Sequence, residues 1–182
     1  KSFFYVNPLE VWPDNCMNRT SMEHVKPVRQ KWFGVACCPP NIARTLASLG
    51  QYIYGEDEDS IYVNLYVSNE TETQIKGIPC KITMDSDFLS TGNVKISLRS
   101  QEDTKGKLAL RVPGYVKSFQ VYRNGEEILN PLIEKGYLIL EELKEEEMIT
   151  ISCDMKAKFI HANPEVRADE GKVAIMRGPL VY

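Results

Sequence analysis

No apolar run in this chain approaches the roughly 20 residues that a membrane-spanning helix requires, so the sequence holds no helical bilayer span. No secretory leader is visible, and the first residue is Lys1, not methionine. A basic stripe is missing too: 22 Lys and Arg against 25 Asp and Glu leave a formal charge of -3, which argues against a nucleic-acid-binding surface. C-x-x-C and H-x-x-x-H spacings are absent, so no self-contained zinc motif is present. The five cysteines are odd in number and two are adjacent, which does not make a disulfide framework and points to a reducing compartment. There is no low-complexity tract. A chain of 182 residues, 43% hydrophobic, can bury one good core and a small second one.

What is present is a concentrated block, Trp32-Phe33-Gly34-Val35-Ala36-Cys37-Cys38-Pro39-Pro40-Asn41, followed by a helical-looking run from Ile42 to Tyr54. Proline suits a first helical turn because the amide it lacks would have no partner there, so Pro39-Pro40 marks a helix start. A thiol just before that start feels the positive end of the helix dipole and the free amides of the first turn, and both favour thiolate. Consecutive residues lie ~3.8 Å apart, short of the roughly 4.4 to 6.8 Å of a relaxed disulfide, so Cys37 and Cys38 do not pair easily with each other. They can share a soft metal ion, with zinc the commonest for sulfur. Two readings stand: both are buried small hydrophobes, the usual fate of free cysteine, or they are a metal site or nucleophile.

The pattern W-F-x-x-A-C-C-P-P-N-x-x-R, then S-L-G-x-Y-I-Y and I-Y-V-N-L-Y, resembles the bacterial β-L-arabinofuranosidase family, glycoside hydrolase family 127. Leu108 to Tyr115 and Val166 to Tyr182 carry further matching pieces, so the resemblance runs over nearly the whole chain. It implies an (α/α)6 toroid catalytic domain followed by β-sandwich modules, and a zinc bound by one glutamate and three cysteines. By position Cys37 is the nucleophile and a zinc ligand, and Cys38 is a ligand only. The zinc-held thiolate would replace the nucleophilic carboxylate of an ordinary retaining glycosidase. The family's Glu-x-Cys ligands and acid/base glutamate lie far upstream of the pair and match nothing here. Both ends of the chain fall in apolar, strand-like runs, so the chain is expected to be a C-terminal piece of such an enzyme. The expected partner is an L-arabinofuranoside-type saccharide, with no nucleic acid and no membrane; a homodimer is allowed, and a bacterial cytoplasmic location is expected.

Residues 1 to 35 read as two extended segments joined by an irregular loop that contains Cys16 and His24. A hairpin-like return would carry Tyr5 toward the cysteine pair, as a substrate contact or simply a tyrosine packed in a strand. Cys16 and His24 read as solvated loop residues, with adventitious zinc binding the alternative. Ile42, Leu46, Leu49 and Ile53 form a helical stripe expected to pack on the available apolar surface. The acidic run Glu56-Asp57-Glu58-Asp59 reads as a solvated linker between a truncated catalytic piece, 1–57, and a β-sandwich, 58–182.

From Ser60 the period becomes that of strands: Ile61, Val63, Leu65 and Val67 alternate with polar or aromatic residues, as do Asn93 to Arg99, Lys107 to Val112 and Met148 to Cys153. Asn124-Gly125 is a strong two-residue hairpin signal, and Lys135-Gly136, Asn163-Pro164 and Asp169-Glu170-Gly171 mark further turns. The expected fold is mainly β: an antiparallel β-sandwich preceded by a short hairpin-plus-helix remnant of the toroid. Cys80 and Cys153 read as core fillers, His161 as a loop residue, and Glu141 to Glu147 as an exposed turn. A second function class stays open, in which the sandwich is a carbohydrate-binding or structural module with structural cysteines. Tyr62 and Tyr66 would then be a short stacking platform, although an interdomain surface would look the same.

Overall fold

Every second side chain is buried along Ile78–Asp87, Asn93–Ser100, Tyr137–Leu140 and Glu146–Asp154, and that alternation builds the core of the fold. The computed structural model describes residues 2–5, 26–34 and 37–182, so Cys16 and His24 lie outside the described residues. The chain divides into two compact units, 1–51 and 52–182. The helices are α1 (Cys38–Ala47), α2 (Gly50–Ile53) and α3 (Phe88–Thr91). The strands are β1 (Tyr54–Glu56), β2 (Ser60–Val63), β3 (Asn69–Ile75), β4 (Ile78–Asp87), β5 (Asn93–Ser100), β6 (Lys107–Arg111), β7 (Ser118–Arg123), β8 (Glu126–Glu127), β9 (Ile133–Glu134), β10 (Tyr137–Leu140), β11 (Glu146–Asp154), β12 (Ala157–Ile160), β13 (Ala174–Arg177) and β14 (Leu180–Val181).

In the second unit, one sheet runs β1-β2-β6-β10-β9 and another β3-β4-β5-β11-β7-β8. Ile61, Val63, Leu108, Leu110 and Leu138 from the first sheet share one core with Ile82, Ile96, Leu98, Ile149 and Ile151 from the second. This is the expected sandwich, with Cys80 and Cys153 buried in it. One pair departs from the antiparallel rule: β2 lies parallel to β6, Ser60 opposite Lys107 and Val63 opposite Leu110. A third small sheet, β12-β13-β14, closes the chain. Among the described residues no helix is long and apolar enough to cross a membrane.

Turn chemistry sets the register. Asn124 and Gly125 both have positive φ, 53° and 89°, as a type I′ turn between β7 and β8 requires. Lys135-Gly136 does the same between β9 and β10, and Lys76-Gly77 between β3 and β4.

Five expectations are corrected. The run from Ile42 to Tyr54 is not one helix: α1 stops where the Ser48 hydroxyl bonds back to the Arg44 carbonyl at 2.9 Å, and α2 is a separate turn. No side chain of α1 is buried: of the stripe expected to pack, Ile42 and Leu46 are 60% and 67% exposed, whereas Leu49 is half-buried and Ile53 is buried. The acidic run is no linker but the tip of the β1–β2 hairpin, where Asp57 accepts from the Tyr62 hydroxyl at 2.8 Å and from the Asp59 amide at 3.1 Å. The strand opened at Ser60 ends at Val63, because the amides of Asn64 and Leu65 turn to the Ile53 carbonyl.

The fifth correction is Glu147. It is not part of an exposed turn; it lies in β11 on the side of Ile149 and Ile151, only 2% exposed. Its carboxylate accepts from Arg123 Nε at 3.0 Å and Nη2 at 2.5 Å, from Asn124 Nδ2 at 2.9 Å and from the Lys144 amide at 2.8 Å. Arg123 also caps the carbonyls of Glu141 and Glu142 at 3.0 and 2.8 Å. Burial alone would raise the carboxyl, but Arg123 and the Lys144 amide together hold it below the usual glutamate range. Glu147→Gln is therefore expected to destabilise the sandwich by about 3 kcal/mol at neutral pH, as for breaking a buried pair. A carboxyl held low when folded contributes stability above its unfolded value of about 4.3 and loses it as pH falls through the folded value. In urea unfolding the gap between wild type and Glu147→Gln should close in acid; a gap that persists there would make shape, not charge, the cause.

Candidate active site

Among the described residues of the first unit a short antiparallel bridge joins Phe3 to Gln30, with both backbone bonds at 2.9 Å. Around it the rings of Phe3 and Tyr5 sit 5.3 and 5.4 Å from buried Phe33. This is the expected hairpin-like return, and it brings Tyr5 to the cysteines.

The Tyr5 hydroxyl is hydrogen-bonded to Cys37 Sγ and accepts from the amides of Cys37 and Cys38 at 3.2 and 3.4 Å. Cys37 Sγ lies 3.9 Å from Cys38 Sγ. Cys37 is exposed and Cys38 half-buried, so neither is the buried small hydrophobe that one reading of the sequence allowed. The Tyr5 bond, then the Cys38 thiol, hold Cys37 below the ordinary thiol value, with backbone amides contributing least. The same bond to Cys37 pushes Tyr5 up to about 12, so the phenol keeps its proton at neutral pH and can donate it to a thiolate.

The expected help from first-turn amides is reduced by the sequence itself. Cys37 stands at the N-cap of α1, and Pro39 and Pro40 have no N–H to offer. The remaining amides are spent elsewhere: that of Cys38 on Tyr5, that of Asn41 on the Cys37 carbonyl at 3.4 Å. One turn on, Asn41 Nδ2 donates to the same Cys37 carbonyl at 2.7 Å, and Arg44 Nη2 donates to Asn41 Oδ1 at 3.0 Å. Asn41 and Arg44 stand in the quoted motif, yet spacing alone gave them no role.

Zinc at ~2.3 Å from two sulfurs in tetrahedral geometry sets them about 3.8 Å apart, so the pair is spaced to hold one ion. Among the described residues no group of three or more Cys, His, Asp or Glu comes together, so a complete shell would need donors beyond these two. His161 is exposed in the loop between β12 and β13, away from any such group. Tyr62 and Tyr66 do not share one platform: Tyr62 packs edge-on against Tyr137, whereas Tyr66 packs on Phe88 and donates to the Arg111 carbonyl at 2.6 Å.

The profile described as "Beta-L-arabinofuranosidase, GH127 middle domain" matches residues 60–155, more than half of the sequence. The chain belongs to glycoside hydrolase family 127. The catalytic-domain profile of the family matches residues 1–51, where Tyr5, Cys37 and Cys38 meet, and its C-terminal-domain profile matches 157–182. A non-reducing end beta-L-arabinofuranosidase of Bifidobacterium longum subsp. longum is 36% identical over 189 residues, covering all of this chain and 28% of that protein. The crystal structure of a GH127 beta-L-arabinofuranosidase from Geobacillus stearothermophilus T6 is 44% identical with a TM-score of 0.88, over all of this chain and 29% of that one. Another GH127 beta-arabinofuranosidase structure is 31% identical with a TM-score of 0.76, over 84% of this chain and 27% of that one. This family 127 chain thus spans less than a third of the length of these relatives.

Tyr5→Phe removes the strongest donor to Cys37 Sγ, which raises the thiol's pKa and lowers its thiolate fraction at neutral pH. Alkylation of Cys37 by iodoacetamide, followed by peptide mass mapping, should slow at pH 7 and reach half its maximal rate at higher pH. An unchanged pH–rate curve would remove Tyr5 from the account of this sulfur.

Proposed function

We propose that this chain is the part of a retaining β-L-arabinofuranosidase that carries the nucleophile, Cys37, with Cys37 and Cys38 supplying two ligands to a zinc ion. The observation that carries the reading is the Tyr5 hydroxyl bonded to the exposed Cys37 sulfur beside Cys38, within the segment matched by the catalytic-domain profile. The donor set suits the metal: two sulfurs at tetrahedral spacing are soft ligands. When bound, zinc keeps its thiolate ligands deprotonated.

The chemistry of this chain's own residues follows. The Cys37 sulfur, charged and aimed by the Tyr5 O–H, attacks the anomeric carbon; a C–S bond forms as the C–O bond to the leaving group breaks. The departing oxygen needs a proton, and the general acid that gives it belongs to the rest of the enzyme. Water activated by that same residue then displaces the sulfur, regenerating the thiolate. Tyr5 meets the departing sulfur with the donor it held before, which stabilises the leaving thiolate. On this reading Tyr5 serves the nucleophile as much as the sugar. The free thiols at Cys37, Cys38, Cys80 and Cys153 accord with a reducing cytoplasm.

Three outcomes are expected. The chain alone does not hydrolyse an aryl β-L-arabinofuranoside, because among the described residues no general acid accompanies Cys37; turnover by the purified chain that disappears in Cys37→Ser would refute this. In a full-length enzyme containing this chain, Cys37→Ser abolishes turnover while the sandwich keeps its unfolding midpoint. Cys38→Ser keeps the attacking sulfur but weakens the metal site, so activity falls and excess zinc recovers part of it. Labelling with a sugar-derived electrophile distinguishes the two sulfurs: modification chiefly at Cys38, or at a carboxylate, would overturn the assignment.

A further inference from the structure

We infer that Asn41 is a positioning residue for Cys37 and that Arg44 fixes the orientation of Asn41; the catalytic consequence rests on Cys37 being the nucleophile. Both thiols hang from the two α-carbons that flank a single peptide unit, Cys37–Cys38. That unit is held at both ends. Its carbonyl accepts from Asn41 Nδ2 at 2.7 Å, and its N–H donates to the Tyr5 hydroxyl at 3.4 Å. The direction in which each sulfur leaves the backbone follows from this plane, so whatever fixes the plane aims both.

The helix does this poorly by itself. The backbone bond from the Asn41 amide to the Cys37 carbonyl is long, 3.4 Å, and two prolines remove other donors from the first turn. A helix N-terminus leaves amides in need of acceptors; a carbonyl at the N-cap has no such shortage. The short bond from Asn41 therefore meets no requirement of helix capping. Its effect is to hold a peptide plane whose own amide bond is weak.

Arg44 decides which way the Asn41 amide faces. A guanidinium only donates, so its bond to Oδ1 at 3.0 Å forces the NH2 end toward Cys37. The three residues form one chain along one face of α1, from Arg44 through Asn41 to the Cys37 carbonyl, at helical spacings of three and four.

The test separates orientation from stability. Asn41→Asp keeps size and the pairing with Arg44 but sets an acceptor against the Cys37 carbonyl, whereas Asn41→Ala removes both contacts. In a full-length enzyme containing this chain, each is expected to lower kcat by roughly 10- to 100-fold, the scale of a small misplacement of a reacting group, with KM little changed. Arg44→Ala should fall in the same sense and Arg44→Lys, which still offers a donor, should recover most of the rate. In the chain itself, iodoacetamide should label exposed Cys37 ahead of half-buried Cys38, and Asn41→Asp should narrow that preference. Wild-type kcat in Asn41→Asp, a loss confined to KM, or an unchanged Cys37 to Cys38 labelling ratio would overturn the inference. Cys37→Ser in the same activity assay judges the nucleophile separately: if it stays active, that reading fails, while the labelling ratio still decides whether Asn41 aims the pair.

Discussion

A carboxylate placed among aliphatic side chains must be given donors for all its lone pairs, and the sandwich is tied together at the point where this is done for Glu147. Its donors come from two separate pieces of chain: Arg123 at the end of β7 with Asn124 in the adjoining hairpin turn, and Lys144 in the segment before β11. Arg123 then returns to the carbonyls of Glu141 and Glu142. The Asn124 side chain also accepts from the Met148 amide at 2.8 Å, next to Glu147 itself. One charge therefore fixes where β11 begins, and β11 is the strand that pairs with β5 on one side and β7 on the other.

The cysteine site applies the same rule under opposite conditions. Glu147 is a charge kept out of water and must be surrounded, whereas Cys37 stands in water and its thiolate form is favoured first by one hydroxyl and then by the neighbouring thiol. Tyr5 reaches that sulfur only because the Phe3–Gln30 bridge and the ring of Phe33 bring a distant stretch of chain across it. The same Tyr5 oxygen also takes the amides of Cys37 and Cys38, so one hydroxyl ties together the sulfur and both backbone N–H groups of the pair.

Much of this was legible in the sequence wherever one residue's preference agreed with its surroundings. Asn124-Gly125 requires two positive φ angles and has them; Ile149, Ile151 and Cys153 alternate into the core as their period demands. The β3–β4 hairpin escaped notice because β3 is an edge strand whose alternation is carried by Thr71 and Thr73 between glutamates, with no apolar side chain before Ile75. Its turn, Lys76-Gly77, was the available signal. Glu147 was misplaced because an acidic run reads as solvated unless its partner is known, and Arg123 lies far back along the chain. The return of Tyr5 to the cysteines was readable as a hairpin, but the amide partners of its hydroxyl were not, since they depend on the angle at which α1 begins.

The parallel pair of β2 and β6 carries a consequence for the order of assembly. Neighbouring antiparallel strands such as β3, β4 and β5 join through short connections and close small loops, which costs little chain entropy. For β2 to meet β6, everything from Asn64 to Gly106 must first be gathered, and that intervening chain is β3, β4 and β5 of the opposite sheet. Contacts between residues far apart in sequence form slowly unless what lies between them is already compact. The six-stranded sheet thus acts as a template on which the five-stranded one is completed. During synthesis, β2 has to wait with one side unpaired until the ribosome has delivered Arg111.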